Sequence, residues 1–158
     1  MTSTQESTRP TLSVGPAVGQ AEASLTRLLS GILAESGTSR GTYLGLQRLT
    51  ALGGHAARDT YERDLSEWLQ LDRPAAGRLA GDLVAAGLAA TEGDSIRLTA
   101  QGQELREGIV AASAEITGPM LASLDRVDLE TTIKTLQEIT RRARAIPARS
   151  ATAAEEDR

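Results

Sequence analysis

The sequence of 158 residues contains no cysteine and no phenylalanine, and aromatic residues make up 2% of it. Without cysteine the chain has neither disulfides nor thiolate metal sites, which fits a reducing compartment. Hydrophobic residues still make up 40% of the sequence, so a core has to be built mainly from Leu, Ala, Ile and Val. Such side chains favour close contact between helices over a thick sandwich of sheets. The length suits one domain with tails.

Long hydrophobic runs are absent as well. No apolar stretch approaches the roughly 20 residues that span a bilayer. The N-terminal residues 1–20 lack the basic start and the apolar stretch of a secretory signal. We therefore expect a cytoplasmic protein that does not enter a membrane. The net charge of −4 argues against non-specific coating of nucleic acid, but it allows a local basic patch.

Motifs for catalysis and for metal binding are missing too. The carboxylates are scattered along helix faces, and the sequence has no G-x-G-x-x-G motif, P-loop or nucleophile elbow. His55 is the only histidine and follows two glycines, which is typical of a surface or capping residue in a loop. Without a second histidine or a cysteine, a zinc site is not credible. We predict that the chain is not an enzyme and has no catalytic residue, metal or cofactor.

The spacing of apolar residues predicts helices over most of the chain. Residues 1–17 are rich in Ser, Thr, Pro and Gly, and residues 147–158 end in an acidic run, so both segments are predicted to be disordered tails. Between them, the residues from Leu25 to Leu33 follow one helix face. Further helices are predicted at about 43–52, 59–70, 72–87 and 100–118, and from 128 onwards.

The fourth helix has the clearest boundaries. Asp72 is a good N-cap, Pro74 fits the first turn, and Gly87 is suited to a left-handed C-cap. After it, two short extended segments surround Glu92-Gly93-Asp94, which is a hairpin signal.

The order of these elements predicts a winged helix-turn-helix. Two helices lead through a tight turn at Gln70-Leu71 into another helix, and a small hairpin follows. The first helix and the last two are too long and too apolar on one side to be covered by this small module. An apolar helix face that remains uncovered in this way is most often buried against another copy of the same chain.

Three stretches of sequence carry a family resemblance. They are LSEWLQLD at 65–72, RLAGDLVAAGL at 78–88 and IRLTAQG at 96–102, the last of which contains a Leu-Thr-x-x-Gly motif. Through them, residues 20–146 resemble the MarR family of small-molecule-responsive bacterial transcription regulators. The resemblance implies a mainly α fold with a small β-hairpin, in which a winged helix-turn-helix is combined with interlocking N- and C-terminal dimerisation helices. The domain then covers 18–146, and its DNA-binding module covers about 42–99.

The resemblance also implies how such a homodimer meets double-stranded DNA. Asp72–Ala86 is the recognition helix for the major groove, and residues 91–96 are the wing. Two-fold symmetry then implies a pseudo-palindromic operator with half-sites about 34 Å apart. The DNA-binding residues assigned in this way are Arg73, Ala75, Gly77, Arg78, Asp94, Ser95 and Arg97. Among them the two arginines of the helix are strong donors, and an alanine there can touch a thymine methyl group.

The module departs from the family pattern in its charge and in its wing. The first turns of the recognition helix contain few polar residues, and the wing is short and lacks the usual Asp-x-Arg-Arg motif. Residues 58–99 contain five basic and eight acidic side chains, a net charge of −3. We therefore expect DNA binding that is weak or unusually specific. Alternatively, Arg73 and Arg78 are surface residues paired with nearby acids, and Arg97 pairs with Asp94 or Glu92.

Related regulators bind aromatic acids or similar effectors between the DNA module and the dimer helices. On this analogy the candidate ligand-binding residues are Arg27, Tyr43, His55 and Trp68, although packing in the core is the default expectation for the tryptophan. An effector that binds more tightly to a dimer with widely separated recognition helices would shift the population toward that conformation. The separation of the two helices would then no longer match the operator.

The leading hypothesis is therefore a homodimeric DNA-binding transcription regulator, a repressor that is released by a small-molecule effector. The alternative hypothesis is a winged-helix module for protein interaction or ligand binding, with weak or no DNA binding.

Overall fold

The computed structural model describes residues 14–146, and residues 1–13 and 147–158 lie outside it. The predicted tails therefore fall mostly outside the described residues. Within 14–146 the elements are α1 (Val14–Glu35), α2 (Arg40–Ala51), β1 (His55–Ala57), α3 (Arg58–Leu69), α4 (Arg73–Ala85), β2 (Ala89–Glu92), β3 (Ser95–Leu98), α5 (Ala100–Ala122) and α6 (Arg126–Ala145). The prediction of a mainly α, winged helix-turn-helix fold is confirmed.

Helix α1 begins earlier than the sequence analysis predicts. Residues 14–17 are helical, so the predicted disordered arm is wrong over its last part. Pro16 lies in the first turn of the helix, where a backbone N–H has no partner within the helix, and its missing N–H therefore costs nothing there.

Most of the buried side chains belong to a module that runs from α2 to β3. Ten residues form its core: Leu46, Leu49, Tyr61, Leu65, Ala76, Ala80, Leu83, Leu88, Ala89 and Ile96. The apolar spacing that predicts a helix over 43–52 includes two of these residues, Leu46 and Leu49. A second, smaller cluster consists of Ile32, Leu33, Tyr43 and Ile109, which come from α1, α2 and α5.

The sheet has three antiparallel strands in the order β1-β3-β2. Only the β2–β3 hairpin is predicted from the sequence. His55 pairs with Arg97 as part of β1, so the prediction that this histidine lies in a loop is wrong. Strand β1 has only three residues and two of them are alanines, which have little strand preference. It therefore leaves no alternating pattern in the sequence.

The chain separates into two compact units, one ending at Glu115 and one beginning at Ile116. Helix α5 continues through Pro119 to Ala122, so the predicted end at Gly118-Pro119 is wrong. Pro119 has no backbone N–H, so the helix lacks one hydrogen bond of its ladder there, yet it continues for three more residues.

Helix α6 lies wholly in the second unit and has no buried residue. It begins at Arg126, because the Asp125 carboxylate accepts hydrogen bonds from the backbone N–H groups of Val127 at 2.8 Å and Asp128 at 3.0 Å. Between Val14 and Ile146, no helix has the length and hydropathy that crossing a membrane requires.

Candidate nucleic-acid interface

Helix α4, the predicted recognition helix, is fixed in place by its cap and by its buried face. The Asp72 carboxylate accepts a hydrogen bond from the backbone N–H of Ala75 at 2.7 Å, as predicted for an N-cap. Ala76, Ala80 and Leu83 are almost completely buried. Because two of these side chains are small, the helix packs closely on the module and leaves its other face to solvent.

The turn between α3 and α4 sets the direction in which that face points. Gln70 takes a left-handed conformation with φ of 55°, and the Ser66 hydroxyl donates a hydrogen bond to the carbonyl oxygen of Leu71 at 2.6 Å. The backbone N–H of Leu71 donates in turn to the carbonyl of Ser66 at 3.1 Å. The tight turn predicted at Gln70-Leu71 is therefore present and is held from both sides.

The wing is a short hairpin tied to the start of α3. Gly93 has φ of 57°, which suits a glycine at the first central position of a type II′ turn. The backbone N–H of Arg58 donates to the carbonyl of Asp94 at 2.8 Å, and that of Leu98 donates to Gly54 at 2.8 Å. Both ends of strand β3 are thus anchored to neighbouring parts of the module.

Helix α4 presents two arginines to solvent, and their surroundings differ. Arg73 donates from Nη2 to the carboxylate of Asp59 on α3, and its Nη1 lies 3.5 Å from the Asp59 backbone carbonyl. Arg78 is exposed and has no hydrogen bond or ion pair with any residue between 14 and 146. The pairing considered in the sequence analysis therefore applies to Arg73 and not to Arg78.

The acid that holds Arg73 stays ionised at neutral pH. A hydrogen bond from Arg73 and the positive charge of that guanidinium, with a smaller contribution from Arg63, lower the pKa of the Asp59 carboxyl below its ordinary value of 3.8. At neutral pH a full negative charge therefore stands beside the first turn of the recognition helix.

Arg97 is the one cationic residue of the β2–β3 hairpin, residues 89–98. Its Nε donates to Glu92 across the hairpin at 2.6 Å, so it pairs with one of the two acids considered for it. Its Nη1 also lies 3.4 Å from the backbone carbonyl of Leu98. The turn residue Asp94 is exposed and Ser95 is half-buried.

Two small residues of α4 are less accessible than a DNA contact would suggest. Ala75 and Gly77 are half-buried, and a Cβ atom on Gly77 would stand 3.7 Å from the Glu62 carboxylate of α3. Gly77 therefore lies against α3 at this point. Of the assigned DNA-binding residues, the exposed ones are Arg73, Arg78, Asp94 and Arg97.

A cavity of about 390 Å³ lies beside α2 and α3. Its lining consists of Tyr43, Leu44, Gln47, Arg48, Ala51 and Trp68. The structure thus brings together two of the four candidate ligand-binding residues, the tyrosine and the tryptophan. Arg27 and His55 do not line this cavity.

Trp68 is 42% exposed, so the expectation that it packs in the core is wrong. Trp68 lies on the same face of α3 as the buried Tyr61 and Leu65, but it is in the last turn of the helix, where the core ends. There the Arg48 guanidinium lies 5.0 Å from the centre of its ring, a cation–π contact. Arg48 is itself held by two hydrogen bonds of 2.7 Å to Asp64.

A polar network beside this cavity escapes sequence analysis. Gln47 donates to the Tyr43 hydroxyl at 2.6 Å, and Arg106 of α5 donates to the Gln47 side-chain oxygen at 3.3 Å. The Nε of Arg106 is buried without a hydrogen-bond partner. Arg106 lies 59 residues from Gln47 in the sequence and shares no motif with it, so sequence patterns do not indicate that the two residues meet. Among residues 14–146, no group of three or more His, Asp or Glu side chains could hold a metal ion.

No protein-family model matches the sequence, and no curated protein matches it. Solved structures do match the fold. Ligand-free NadR has a TM-score of 0.69 at 23% identity, covering 84% of this chain and 97% of its own. A MarR family protein from Bacillus stearothermophilus has a TM-score of 0.67 at 18% identity, and the match covers 82% of this chain and 92% of that protein.

A third similar structure contains a ligand. CouR from Rhodococcus jostii RHA1 bound to p-coumaroyl-CoA has a TM-score of 0.67 at 17% identity, covering 84% of this chain and 95% of its own. All three neighbours cover most of the described residues and almost their own full length. The fold of this chain is that of the MarR family transcriptional regulators.

Proposed function

We propose that this protein is a homodimeric transcription regulator, a repressor and not an enzyme, that binds a pseudo-palindromic operator through α4 and the β2–β3 wing. The observation that carries the proposal is the exposed face of α4. There Arg78 is free of partners in the described part of the chain, while the buried face fixes the helix on its module. An arginine in this position has the donors for bidentate contact with guanine in the major groove. Such a regulator would act in the cytoplasm.

The exposed apolar side chains of the long helices support a homodimer. On α1 they are Val14, Val18, Leu25 and Leu28, and in the second unit they include Ile116, Met120, Ile133, Leu136 and Ile139. Apolar stripes of this kind are normally covered by a partner surface. A second copy related by two-fold symmetry would cover them and hold two recognition helices at a fixed separation.

The cavity beside α2 supports a small-molecule effector. Tyr43 and Trp68 give it aromatic walls, and Gln47 and the Tyr43 hydroxyl offer polar contacts. The structure of CouR with p-coumaroyl-CoA is a precedent for a ligand on this fold. A ligand between α2 and the network that leads to Arg106 would bias the position of the DNA module and thereby release the operator. Roles for Arg27 and His55 in this binding stay predictions.

Replacement of Arg78 tests the proposed function. Duplexes selected by the protein from a random pool are titrated by fluorescence anisotropy. We expect Arg78→Ala to weaken binding by about 10-fold to 100-fold, because one good bidentate base contact contributes about 1–3 kcal/mol. Arg144→Ala on α6 is the matched control, since it removes an exposed arginine that also has no partner among residues 14–146, and it should bind like the wild type. If Arg78→Ala and the wild type bind with equal affinity, α4 is not the recognition helix.

The alternative function is a winged-helix module that binds a protein or a small ligand and no DNA. The net charge of −3 over residues 58–99 and the ion pairs that hold Arg73 and Arg97 favour it. A titration with mixed duplexes at about 50 mM salt separates the two functions, because low salt favours any phosphate contact. Absence of binding at micromolar protein would support the alternative.

A further inference from the structure

Two exposed arginines of the candidate DNA surface are each held by a carboxylate. Arg73 of α4 is bound to Asp59 of α3, and Arg97 of β3 is bound to Glu92 of β2. Only Arg78 among the cations assigned to DNA has no such partner in the described chain. Both on the recognition helix and on the wing, a carboxylate therefore occupies the guanidinium group of an arginine that was assigned to DNA binding.

These ion pairs are too exposed to be explained by stability. The arginine and aspartate side chains of the first pair are 48% and 69% exposed, and the arginine and glutamate of the second pair are 47% and 51% exposed. Ion pairs that accessible to water contribute little to the free energy of unfolding. Their main consequence is therefore local, because each one fixes a long side chain and occupies its guanidinium.

Pairing affects the two kinds of DNA complex differently. A non-specific complex draws almost all its affinity from phosphate contacts, and a flexible arginine can adjust to phosphates in many positions. An arginine that is held by a carboxylate has to leave its partner first, and any phosphate that approaches it meets a negative charge. In a specific complex the held side chain is already oriented, so less conformational freedom is lost on binding.

We propose that Asp59 and Glu92 are specificity-determining residues: by holding Arg73 and Arg97 they suppress binding to non-specific DNA more than binding to the operator. This inference rests on the proposed DNA-binding function. It accounts for a DNA module that combines an exposed recognition helix with a net negative charge. The two carboxylates narrow the range of DNA sequences that the protein binds, and they do not prevent DNA binding altogether.

The test uses the full-length chain and two nearly isosteric variants, Asp59→Asn and Glu92→Gln. Each is titrated with a selected duplex and with a scrambled duplex of the same length and composition, between about 50 and 200 mM salt. We expect affinity for the scrambled duplex to rise about 10-fold at the lowest salt, and affinity for the selected duplex to change by less than about 3-fold. The salt slope for the scrambled duplex should steepen by about 0.9 for each arginine released.

The matched control is Glu104→Gln on α5. It makes the same change in net charge at an exposed carboxylate that has no ion pair within the described chain. It should leave the ratio of the two affinities unchanged. An equal gain in this control would overturn the inference, because net charge and not pairing would then explain the effect. Circular dichroism of each variant verifies that the fold is kept, and the two pairs lie on different elements, so either one alone suffices.

The outcomes separate this inference from the proposed function. If the wild type discriminates between the duplexes and neither variant changes the ratio, the inference is wrong and the regulator proposal stands. If the wild type selects no duplex from the random pool, but a variant that combines Asp59→Asn with Glu92→Gln binds mixed duplexes, the carboxylates block the surface as inferred and the native chain is not a DNA-binding regulator. If no variant binds either duplex, both proposals are wrong.

Discussion

The winged-helix module and helix α6 contain the same kinds of apolar side chain but bury them very differently. Leu46, Leu49 and Leu65 of the module are completely buried, whereas Ile133, Leu136 and Ile139 of α6 are between 39% and 54% exposed. The module therefore closes its core with its own residues, and α6 does not close its apolar stripe. In proteins most of the stability of a helix comes from packing of its apolar face, so we expect α6 to need a covering surface that the module does not need.

Polar substitutions in the apolar stripe of α6 should disrupt the dimer and leave the module folded. We expect the double substitution Ile133→Asp and Ile139→Asp to weaken association of two copies by about 100-fold or more, since burying one such side chain contributes about 1.5–3 kcal/mol and a buried carboxylate is strongly unfavourable. Sedimentation equilibrium at micromolar protein measures the change. The module should stay folded in the resulting monomer.

Thr131→Asp is the control for this experiment. It places one carboxylate on α6 at an exposed position roughly opposite the apolar stripe, given 3.6 residues per turn, and should leave the dimer intact. A wild type that sediments as a monomer would contradict the homodimer. A double variant that still dimerises would place the interface elsewhere.

Helix α5 packs tightly against the module at Gly102, the glycine of the Leu-Thr-x-x-Gly motif. A Cβ atom on Gly102 would overlap with the carbonyl oxygen of Leu88 and stand 3.0 Å from a methyl group of Leu98. That carbonyl also accepts a hydrogen bond from Thr99 at 3.2 Å and cannot move freely. We expect Gly102→Ala to lower the free energy of unfolding by about 3 kcal/mol.

Gly108 on the same helix provides the matched comparison. A Cβ atom there meets nothing within 4 Å, so Gly108→Ala should raise stability by about 0.5–1 kcal/mol through helix propensity. Urea denaturation followed by circular dichroism measures both variants. If Gly102→Ala is as stable as Gly108→Ala, then α5 does not approach Leu88 as closely as the structure shows.

Sequence patterns predict the parts of the fold that depend on local chemistry. The cap at Asp72, the turn at Gln70-Leu71 and the Gly93 hairpin are fixed by neighbouring residues, and helix periodicity places Leu46 and Leu49 in the core. Strand β1 could not be predicted, because a strand of three residues is defined by its partner β3 and not by its own sequence.

The candidate site was less predictable than the fold for a related reason. The sequence shows which arginines fall on α4, but whether they are free depends on where α3 lies. Arg73 finds its partner 14 residues away, whereas Arg78 has none in the described chain. Trp68 follows the buried face of α3 in sequence, yet Arg48 covers part of its ring where the core ends. Such contacts depend on the relative placement of two helices, which periodicity does not fix.

The buried tyrosine of the module should make its stability depend on pH. Tyr61 is completely buried and its hydroxyl donates to the Gly45 carbonyl at 2.8 Å. Tyr61→Phe removes this donor and should lower stability at neutral pH by about 1–2 kcal/mol. Burial raises the pKa of Tyr61 above its ordinary value of 10.0, so above pH 10 the unfolded chain releases a proton that the folded chain keeps.

The contribution of Tyr61 to stability is therefore complete below pH 10 and is lost as the pH rises further, by about 1.4 kcal/mol per pH unit. Tyr61→Phe lacks this dependence, so the gap between wild type and variant should narrow between pH 9 and pH 11 in urea denaturation. Residues 116–146 contain no tyrosine, so this group adds no such dependence to α6. A gap that stays constant over this range would show that the Tyr61 hydroxyl titrates as freely in the folded module as in the unfolded chain.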